Sequence, residues 1–329
     1  MSIAFVVHPL RWEHVPLTAA QPLCRAWLTF QSQRGLSRNT LEAYSRGLEI
    51  FLRFLADQQL PIPAVTRAHI GAYLATMQCD SAISNATVQQ RVTVLRLFYS
   101  HLVDEGLCTK NPVVHDRGRI LVRRYRRLPW IPNDADWQAI LAATCGQTIR
   151  NRTMLAFAYD AALRREELCG LRTDDIDPSN RVLRIRAETT KGRRDRIVPY
   201  SATSGTLLQQ YLLHRRALSR SRGPLFLSES RRNFAAPVSI WSWSKAVLRI
   251  ARRAAVPRFT THTLRHLCLT DLARAGWDIH EIAAFAGHRS VQTTLLYIHL
   301  SGRDLSRKLA VGMAHIHARR VAMLTEGNA

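Results

Sequence analysis

An arginine-rich stretch in the first half of the chain constrains the fold more than any other sequence feature. Residues 117–127 contain six arginines, and Pro112, Pro129 and Pro132 flank them. Proline interrupts helices, and a run of like charges does not pack into a core. A chain of 329 residues also exceeds what one hydrophobic core usually serves. We therefore predict two domains, residues 1–112 and 132–329, joined by a basic linker over 113–131.

Helical periodicity dominates the first predicted domain. Apolar residues recur every three or four positions over 22–34 and in segments beginning near Asn39, Thr66 and Asn85. Asn39 and Glu42 have the spacing of a capping box, which places a helix start there. The pattern predicts a four-helix unit, and its apolar stripes are core positions without a catalytic motif.

The second predicted domain is also mainly helical and begins at a helix-start cluster, Asn133–Asp136. Residues 181–186 and 196–200 have strand character on either side of a turn at 190–195, which predicts a small antiparallel sheet. The predicted helices are 137–143, 151–162, 202–220, 239–255, 263–275, 279–286, 290–299 and a tail helix from about Arg303. The fold class predicted for the whole chain is therefore mainly α with a small antiparallel β-sheet.

The charge of the chain points to a polyanionic partner. Its 47 basic against 24 acidic residues give a formal net charge of +23, and 43 of the basic residues are arginines. Such an excess favours nucleic acid binding. The preference for arginine has two open explanations, bidentate phosphate contacts or a GC-rich genome, but the second does not explain the net charge. No apolar stretch reaches the length of a membrane span, and no signal peptide is recognisable.

The spacing of the cysteines bears on whether the chain holds disulfides or zinc. The six cysteines are widely scattered, and no two form a CxxC pair. This pattern argues against a disulfide framework or a zinc site and is typical of a reducing cytosol.

Four short stretches of the second domain carry the candidate functional residues. Each has an ordinary structural explanation when taken alone: a surface ion pair, an exposed turn lysine, a structural histidine and a core tyrosine. The candidates are Arg164 and Glu167, then Lys191, then His262, Arg265 and His266, and finally His288 and Tyr297.

In order and spacing, these stretches resemble the tyrosine recombinase (phage integrase) family. The family's Gly-Leu-Arg-x-x-Glu corresponds to residues 162–167, and its His-x-Leu-Arg-His is intact at 262–266. Its Gly-His pair corresponds to Gly287-His288, and its terminal tyrosine to Tyr297. The resemblance covers roughly residues 23–299 and is closest to the two-domain Xer-like and mobile-element type.

The resemblance implies a site-specific DNA recombinase. Two domains would form a C-shaped clamp on one half-site of double-stranded DNA, and a homotetramer would pair two sites. Off DNA, the protein would be a monomer or a dimer. Strands would be cut and rejoined through a 3′-phosphotyrosyl intermediate and a Holliday junction. Exchange of one phosphodiester for another conserves bond energy, so we expect no cofactor. Neither a P-loop nor the clustered acidic residues of a two-metal nuclease are visible, so we expect no metal.

The resemblance also implies roles for individual residues. Tyr297 would be the nucleophile, Arg164 and Arg265 would clamp the phosphoryl oxygens, and His288 would add a donor. Lys191 would be the general acid, a role that arginine could not take because it keeps its proton. We interpret His262 as the base that activates the tyrosine.

Glu167 and His266 are interpreted as supporting residues. The sequence departs from the family pattern at Ala162 and at Arg165-Glu166, which we expect a helix to tolerate. The second departure leaves open whether Glu166 or Glu167 is the orienting carboxylate, and register favours Glu167.

Several arginines are predicted to bind DNA. They are Arg117, Arg119, Arg123, Arg124, Arg126 and Arg127 of the linker, with Arg193 and Arg194 of the turn. The alternative for the linker is a solvated loop. For the tail helix, docking on a neighbouring protomer and packing on its own domain both remain open.

Two rival functions are a type IB topoisomerase and a catalytically silent DNA-binding regulator on the same scaffold. The expected setting is the bacterial cytoplasm, on nucleoid DNA and away from membranes, with an accessory protein as a possible partner.

Overall fold

The computed structural model describes residues 10–79, 83–115, 118–119, 128–190, 194–300 and 309–321, the last range without 315, 317 and 319. The chain forms two compact units, Met1–Arg126 and Arg127–Ala329. The domain boundaries drawn from the sequence stay a prediction. Several predicted site residues lie outside the described residues: Lys191, Arg193, Arg117, Arg123, Arg124, Arg126 and Arg127. Of Arg119, only the backbone is described.

The first unit is a helical bundle. Its elements are α1 (Pro16–Ala20), α2 (Pro22–Gln33), α3 (Arg38–Asp57), α4 (Arg67–Cys79), α5 (Asn85–Asp104) and a short antiparallel pair, β1 (Val114–His115) and β2 (Gly118–Arg119). The fully buried Trp27 lies at the centre, between Tyr44 and Phe98. The four helices predicted from periodicity are present, whereas α1 and the β pair were not predicted.

The predicted capping box at Asn39 and Glu42 is wrong. Helix α3 begins earlier, because the Ser37 hydroxyl accepts the backbone N–H of Thr40 and caps the helix. Glu42 therefore lies inside the helix, where it pairs with Arg38 one turn back at 3.0 Å.

A buried carboxylate ties the N-terminal segment to the bundle. Glu49 on α3 accepts the backbone N–H of Thr18 at 2.8 Å and the hydroxyl of Thr18 at 2.9 Å. The N–H of Leu17 donates to its other oxygen at 3.3 Å. These N–H groups belong to the first turn of α1, where a helix has no internal acceptor for them, so Glu49 supplies the missing cap.

The second unit contains the remaining elements. They are α6 (Asp134–Cys145), α7 (Ile149–Asp160), α8 (Arg165–Cys169), β3 (Ile176–Asp177), β4 (Val182–Ile185), β5 (Arg196–Pro199), α9 (Ala202–Leu218), α10 (Ile240–Arg253), α11 (Thr261–Arg274), α12 (Ile279–Ala286) and α13 (Leu295–Leu300). The strands form one antiparallel sheet in the order β3-β4-β5. The mainly α fold class with a small antiparallel sheet is confirmed.

Two predicted helices differ at their ends. The helix predicted over 151–162 ends at Asp160. Ala162 was expected to be helical, and it lies outside the helix. The helix predicted over 290–299 is instead a 3-10 turn, Val291–Thr293, followed by α13. The predicted start at Asn133 is confirmed, because Asn133 and Asp136 form a reciprocal capping box.

The register of β4 and β5 places a charge on the inner face of the sheet. Leu183 pairs with the buried Val198, and Ile185 pairs with Arg196. Ile197, the next residue along β5, is exposed. Because side chains alternate across a strand, Arg196 faces inward and Ile197 outward, the reverse of their polarities.

The tail is helical where it is described, over 309–321. Its apolar side chains Leu309, Val311, Ile316 and Val321 are exposed. Leu305 and Leu324 of the predicted tail helix lie outside the described residues. Among the helices that the structure describes, none is both long enough and apolar enough for a membrane span.

We predict that Glu49→Ala lowers the free energy of unfolding by about 2–3 kcal/mol, because buried N–H groups lose a charged acceptor. Arg53 is the matched control, since it is exposed and lies 3.7 Å from the same carboxylate. Arg53→Ala should cost less than about 1 kcal/mol. Urea denaturation of the full chain, followed by tryptophan fluorescence, measures both; equal losses would contradict the capping role.

Candidate active site

Four elements of the second unit bring ionisable side chains together in one cluster. Arg164 is the residue immediately before α8, and Arg265 lies on α11. His288 follows the C-terminal end of α12, and Tyr297 lies on α13. The structure therefore brings together residues that are far apart in the sequence.

A buried carboxylate organises the arginines of this cluster. Glu167 accepts the Arg164 guanidinium at 2.8 Å through Oε1 and the Arg164 backbone N–H at 2.9 Å through Oε2. Arg196 of β5 binds the same carboxylate with both terminal nitrogens, at 3.0 and 2.8 Å. Burial alone raises the pKa of Glu167, but the hydrogen bonds and charges of Arg196 and Arg164 outweigh it and lower the pKa to about 2.

Of the two carboxylates that the sequence left open, Glu167 is the one in contact with the Arg164 guanidinium. Glu166 is exposed and pairs with Arg165 at 2.9 Å, whereas Glu167 is buried against Arg164. Register had favoured Glu167, and the contacts agree.

Arg265 is buried and anchored by backbone carbonyls. Its Nη1 donates to the carbonyl of Ala162, and its Nη2 donates to the carbonyl of Ala286, each at 2.5 Å. Burial and then the charge of Arg164 lower the pKa of Arg265 to about 10, so it stays charged at neutral pH. The remaining N–H groups of the guanidinium are held in a fixed orientation.

Each of the last four carbonyl groups of α12 accepts a hydrogen bond. The backbone N–H groups of Gly287 and His288 donate to the carbonyls of Ala284 and Ala283, respectively, which is a Schellman motif. The carbonyl of Phe285 accepts Arg196 Nε at 3.1 Å, and that of Ala286 accepts Arg265. Two site arginines thus cap the negative end of the helix dipole.

The conformation of this turn favours glycine at position 287. Its φ of +63° lies in the left-handed region, and a Cβ there would lie 3.0 Å from Nη1 and 3.1 Å from Cδ of Arg196. A larger residue here would adopt a strained backbone and would also displace the Arg196 side chain by a few tenths of an ångström.

The hydrogen bonds of His288 determine its tautomer. Its Nε2 lies 3.0 Å from Arg265 Nη2, and its Nδ1 lies 2.9 Å from the hydroxyl of Thr294. Burial and then the charges of Arg265 and Arg164 lower the pKa of His288 to about 3, so the ring is neutral. Because arginine only donates, Nε2 accepts and Nδ1 carries the proton that Thr294 accepts.

Tyr297 is buried between two histidine rings. Its hydroxyl lies 3.0 Å from Nδ1 of His266, and its ring is parallel to that of His288 with centroids 6.0 Å apart. Burial lowers the pKa of His266 to about 4, aided by His262 and Arg265, so a neutral Nδ1 can accept the tyrosine proton. Burial raises the pKa of Tyr297, and the charges of Arg265 and Arg164 oppose that rise.

The histidine nearest the tyrosine oxygen differs from the sequence-based preference. His262 was interpreted as the base, but it is exposed and packs edge-on against His266, with ring centroids 4.8 Å apart. His266 is the histidine within hydrogen-bond distance of the Tyr297 hydroxyl. One helical turn separates the two histidines, and the half-buried His266 is the one that faces α13.

The cluster carries a surplus of positive charge. Arg164 and Arg196 pair with the carboxylate of Glu167, whereas Arg265 is held by backbone carbonyls, so three guanidinium groups face one carboxylate and two positive charges are left over. Fixed guanidinium groups stabilise negative charge that develops on phosphoryl oxygens. Arg194, exposed, lines an adjoining cavity of about 150 Å³ with Gly287 and His288. In the described part of the chain, no group of three or more His, Cys, Asp or Glu side chains could hold a metal ion.

Sequence reasoning missed Arg196 and Thr294. The signal for Arg196 was present in the predicted strand 196–200, where alternation puts an arginine on the same face as Val198 and Tyr200 and an isoleucine on the other. Thr294 had no comparable signal, because a threonine near a helix start is common and its contact to His288 depends on the tertiary fold.

Comparisons with known proteins assign both units. A model of the phage integrase family matches residues 133–303, and a model of the phage integrase N-terminal SAM-like domain matches residues 26–106. Tyrosine recombinase XerD of Ralstonia nicotianae is 30% identical over 297 residues, which are 87% of this chain and 91% of that protein. Tyrosine recombinase XerC of Listeria innocua is 28% identical over 83% of this chain and 91% of its own length.

Solved structures share the fold. XerH recombinase bound to palindromic difH substrate, in a post-cleavage complex, has a TM-score of 0.72 at 18% identity and covers 94% of this chain and 91% of its own. The Tn1549 transposon integrase in complex with transposon right end DNA has a TM-score of 0.66 at 19% identity, covering 88% of this chain and 100% of its own.

We predict that Ala162→Gly stabilises the protein relative to Ala161→Gly by about 1–2 kcal/mol, because Ala162 has a φ of +46° and only glycine avoids that strain. Ala161 is the matched control: it is equally buried, but its φ is −99°. Each substitution deletes one buried methyl group, so the difference reports the backbone. Urea denaturation measures it, and equal effects would contradict strain at Ala162.

We also predict that His266 and His288 stay neutral at pH 5.5. Histidines of the unfolded chain protonate near a pKa of about 6.5, whereas these have folded pKa values of about 4 and 3. The unfolded state therefore binds more protons, and the free energy of unfolding falls as the pH drops from about 6.5 through the folded values.

Imidazole ¹⁵N chemical shifts and urea midpoints at pH 7 and 5 test this prediction. Replacing both histidines by asparagine should reduce the fall in stability between the two pH values. A charged His266 or His288 ring at pH 6 would contradict it.

Proposed function

This chain belongs to the phage integrase family, and we propose that it is a site-specific DNA recombinase that cleaves and rejoins duplex DNA through Tyr297. The observation that carries the proposal is the Tyr297 hydroxyl, which is hydrogen-bonded to the neutral His266 beside the charged Arg265 and Arg164. A nucleophile, a proton acceptor and a clamp for phosphoryl oxygens thus lie in one cluster.

In the cleavage step, the Tyr297 oxygen attacks the scissile phosphorus. The bond from tyrosine oxygen to phosphorus forms as the bond from phosphorus to the 5′-oxygen breaks, which leaves a 3′-phosphotyrosine. His266 Nδ1 takes the phenolic proton. Lys191, which lies outside the described residues, gives a proton to the departing 5′-oxygen in the role that the family resemblance implies.

Charge stabilisation comes from the arginines. The diester carries one negative charge, and a second develops as the tyrosine oxygen approaches. Two surplus positive charges in the cluster match this development. Since the carbonyls of Ala162 and Ala286 already orient Arg265, little reorganisation is needed during the reaction.

Rejoining reverses these bonds with a new strand. A 5′-hydroxyl attacks the 3′-phosphotyrosine and releases Tyr297, so bond energy is conserved without ATP. Two rounds of exchange on paired sites pass through a Holliday junction. We infer a homotetramer on DNA, and the exposed Leu309, Val311 and Ile316 of the tail offer an apolar surface for a neighbouring copy.

The wider setting follows from the relatives. They are bacterial proteins named tyrosine recombinases, which favours recombination over a topoisomerase and supports an activity on DNA in the bacterial cytoplasm. The complete set of Arg164, Arg265, His288 and Tyr297 in one cluster argues against a catalytically silent regulator. The linker arginines and Arg194 are proposed to grip DNA phosphates, and an accessory protein remains a possible partner.

A nicked suicide substrate tests the nucleophile. DNA sites are first selected from a random pool with Tyr297→Phe, which should keep DNA affinity because only the hydroxyl is lost. Selected sites are then made with a nick next to the cleavage position, so that a short fragment diffuses away after attack. Wild type should form a covalent protein–DNA adduct that denaturing gels resolve, and Tyr297→Phe should form none.

Two outcomes would contradict this assignment. Wild type would fail to form an adduct on any selected site, or Tyr297→Phe would still form one. Relaxation of a supercoiled plasmid that lacks the selected site, at the rate seen with the site present, would instead favour the topoisomerase.

A further inference from the structure

Arg196 is an almost fully buried arginine that the sequence motifs do not single out and to which the mechanism above gives no role beyond its charge. Its side chain is 10% exposed, and all three of its guanidinium nitrogens have partners. Two of them hold Glu167, and the third holds the carbonyl of Phe285. These three bonds leave one N–H on each terminal nitrogen, on a side chain that also lines the cavity beside Gly287 and His288. The bonds themselves show the groups through which Arg196 can act on the site.

One group that Arg196 binds leads to the phosphate clamp. Glu167 is shared: its Oε1 accepts both Arg164 and Arg196, and its Oε2 accepts the Arg164 backbone and Arg196. A carboxylate held by four hydrogen bonds has a fixed plane, so the guanidinium of Arg164 has a fixed direction. Without Arg196, Glu167 would keep only the two bonds to Arg164, a residue at its own helix end.

The other group leads to His288. The carbonyl of Phe285 lies in the last turn of α12, two residues before Gly287, whose Cα faces the Arg196 side chain closely enough that a Cβ would lie 3.0 Å from it. The next carbonyl, Ala286, is held by Arg265, which also contacts His288. Arg196 thus supports the turn that delivers His288 to Arg265.

We propose that Arg196 is a positioning residue for transition-state stabilisation, which sets the direction of Arg164 through Glu167 and the place of His288 through the end of α12. This inference rests on the proposed function. It predicts that Arg196 matters in proportion to the negative charge on the reacting phosphorus group, although its hydrogen bonds go to Glu167 and Phe285 and not to Tyr297. A residue needed only for folding would not show this dependence.

A charge-neutral substrate separates these roles. In a methylphosphonate diester, a methyl group replaces one non-bridging oxygen, so the scissile group is neutral and the transition state carries one negative charge fewer. Displacement of the arginines should then reduce the cleavage rate by a smaller factor. We expect Arg196→Met to cleave the ordinary suicide substrate about 100-fold more slowly than wild type at saturating DNA. On the methylphosphonate, we expect the ratio of the two rates to fall to about 10-fold or less.

Arg215 is the matched control. It is also buried, and it donates to the carbonyls of Ser219, Ser221, Pro224 and Leu225, all outside the cluster. Arg215→Met should lower the melting temperature and leave both cleavage rates at saturating DNA unchanged. DNA affinity, measured by fluorescence anisotropy, should be the same for wild type and Arg196→Met.

Arg196→Lys covers the case in which the methionine variant does not fold. Lysine keeps the charge but cannot make two parallel bonds to Glu167 and a third to Phe285. We expect its rate to lie between those of wild type and Arg196→Met, with the same relief on the methylphosphonate.

The possible results are distinguishable. Equal slowing on both substrates would make Arg196 merely structural, and wild-type rates on both would remove it from the reaction; either overturns this proposal alone. Rescue by a 5′-bridging sulfur, a leaving group that needs no proton, would shift its role to the departing oxygen and also overturn it. If wild type itself forms no adduct, the proposed function fails, and this inference fails with it.

Discussion

The carboxylate of Glu167 is the point on which the cluster depends. Guanidinium groups repel one another, and burying several of them together is costly unless a negative charge lies among them. Glu167 supplies that charge, buried and ionised, between Arg164 and Arg196. One carboxylate reduces the repulsion among three arginines but does not neutralise their net positive charge. The surplus is what a phosphodiester can use.

Backbone carbonyls provide the second means of holding charge in place. Arg265 is held by the carbonyls of Ala162 and Ala286 rather than by a carboxylate, so its full charge is retained while its orientation is fixed. The same carbonyls need partners, since one ends α12 and the other belongs to Ala162, whose φ is positive. The guanidinium of Arg265 therefore supplies donors to carbonyls that the irregular backbone leaves without a helix partner. The strain at this backbone is the local cost of fixing the arginine in place.

Much of this could be predicted from the sequence, for identifiable reasons. Helical periodicity located the bundle and most helices of the second unit, and motif spacing located Arg164, Arg265, His288 and Tyr297. Periodicity does not carry tertiary contacts, so it could not show that His266 rather than His262 meets Tyr297. Nor could it show that Ala162 lies beyond the helix, because an alanine is the residue least expected to leave one. Arg196 was visible only as an inverted polarity in a short strand.

The cap that Glu49 forms on α1 has a practical consequence for the design of shortened chains. The family model for the first unit begins at residue 26, a natural place to cut. A chain cut there loses Leu17 and Thr18, which supply the backbone and hydroxyl donors of the Glu49 carboxylate. The Glu49 carboxylate would then lose the contacts through which it ties α1 to the bundle, so a cut at the start of the family match would weaken the fragment that it defines. Beginning the fragment before Trp12, or replacing Glu49 at the same time, avoids this penalty.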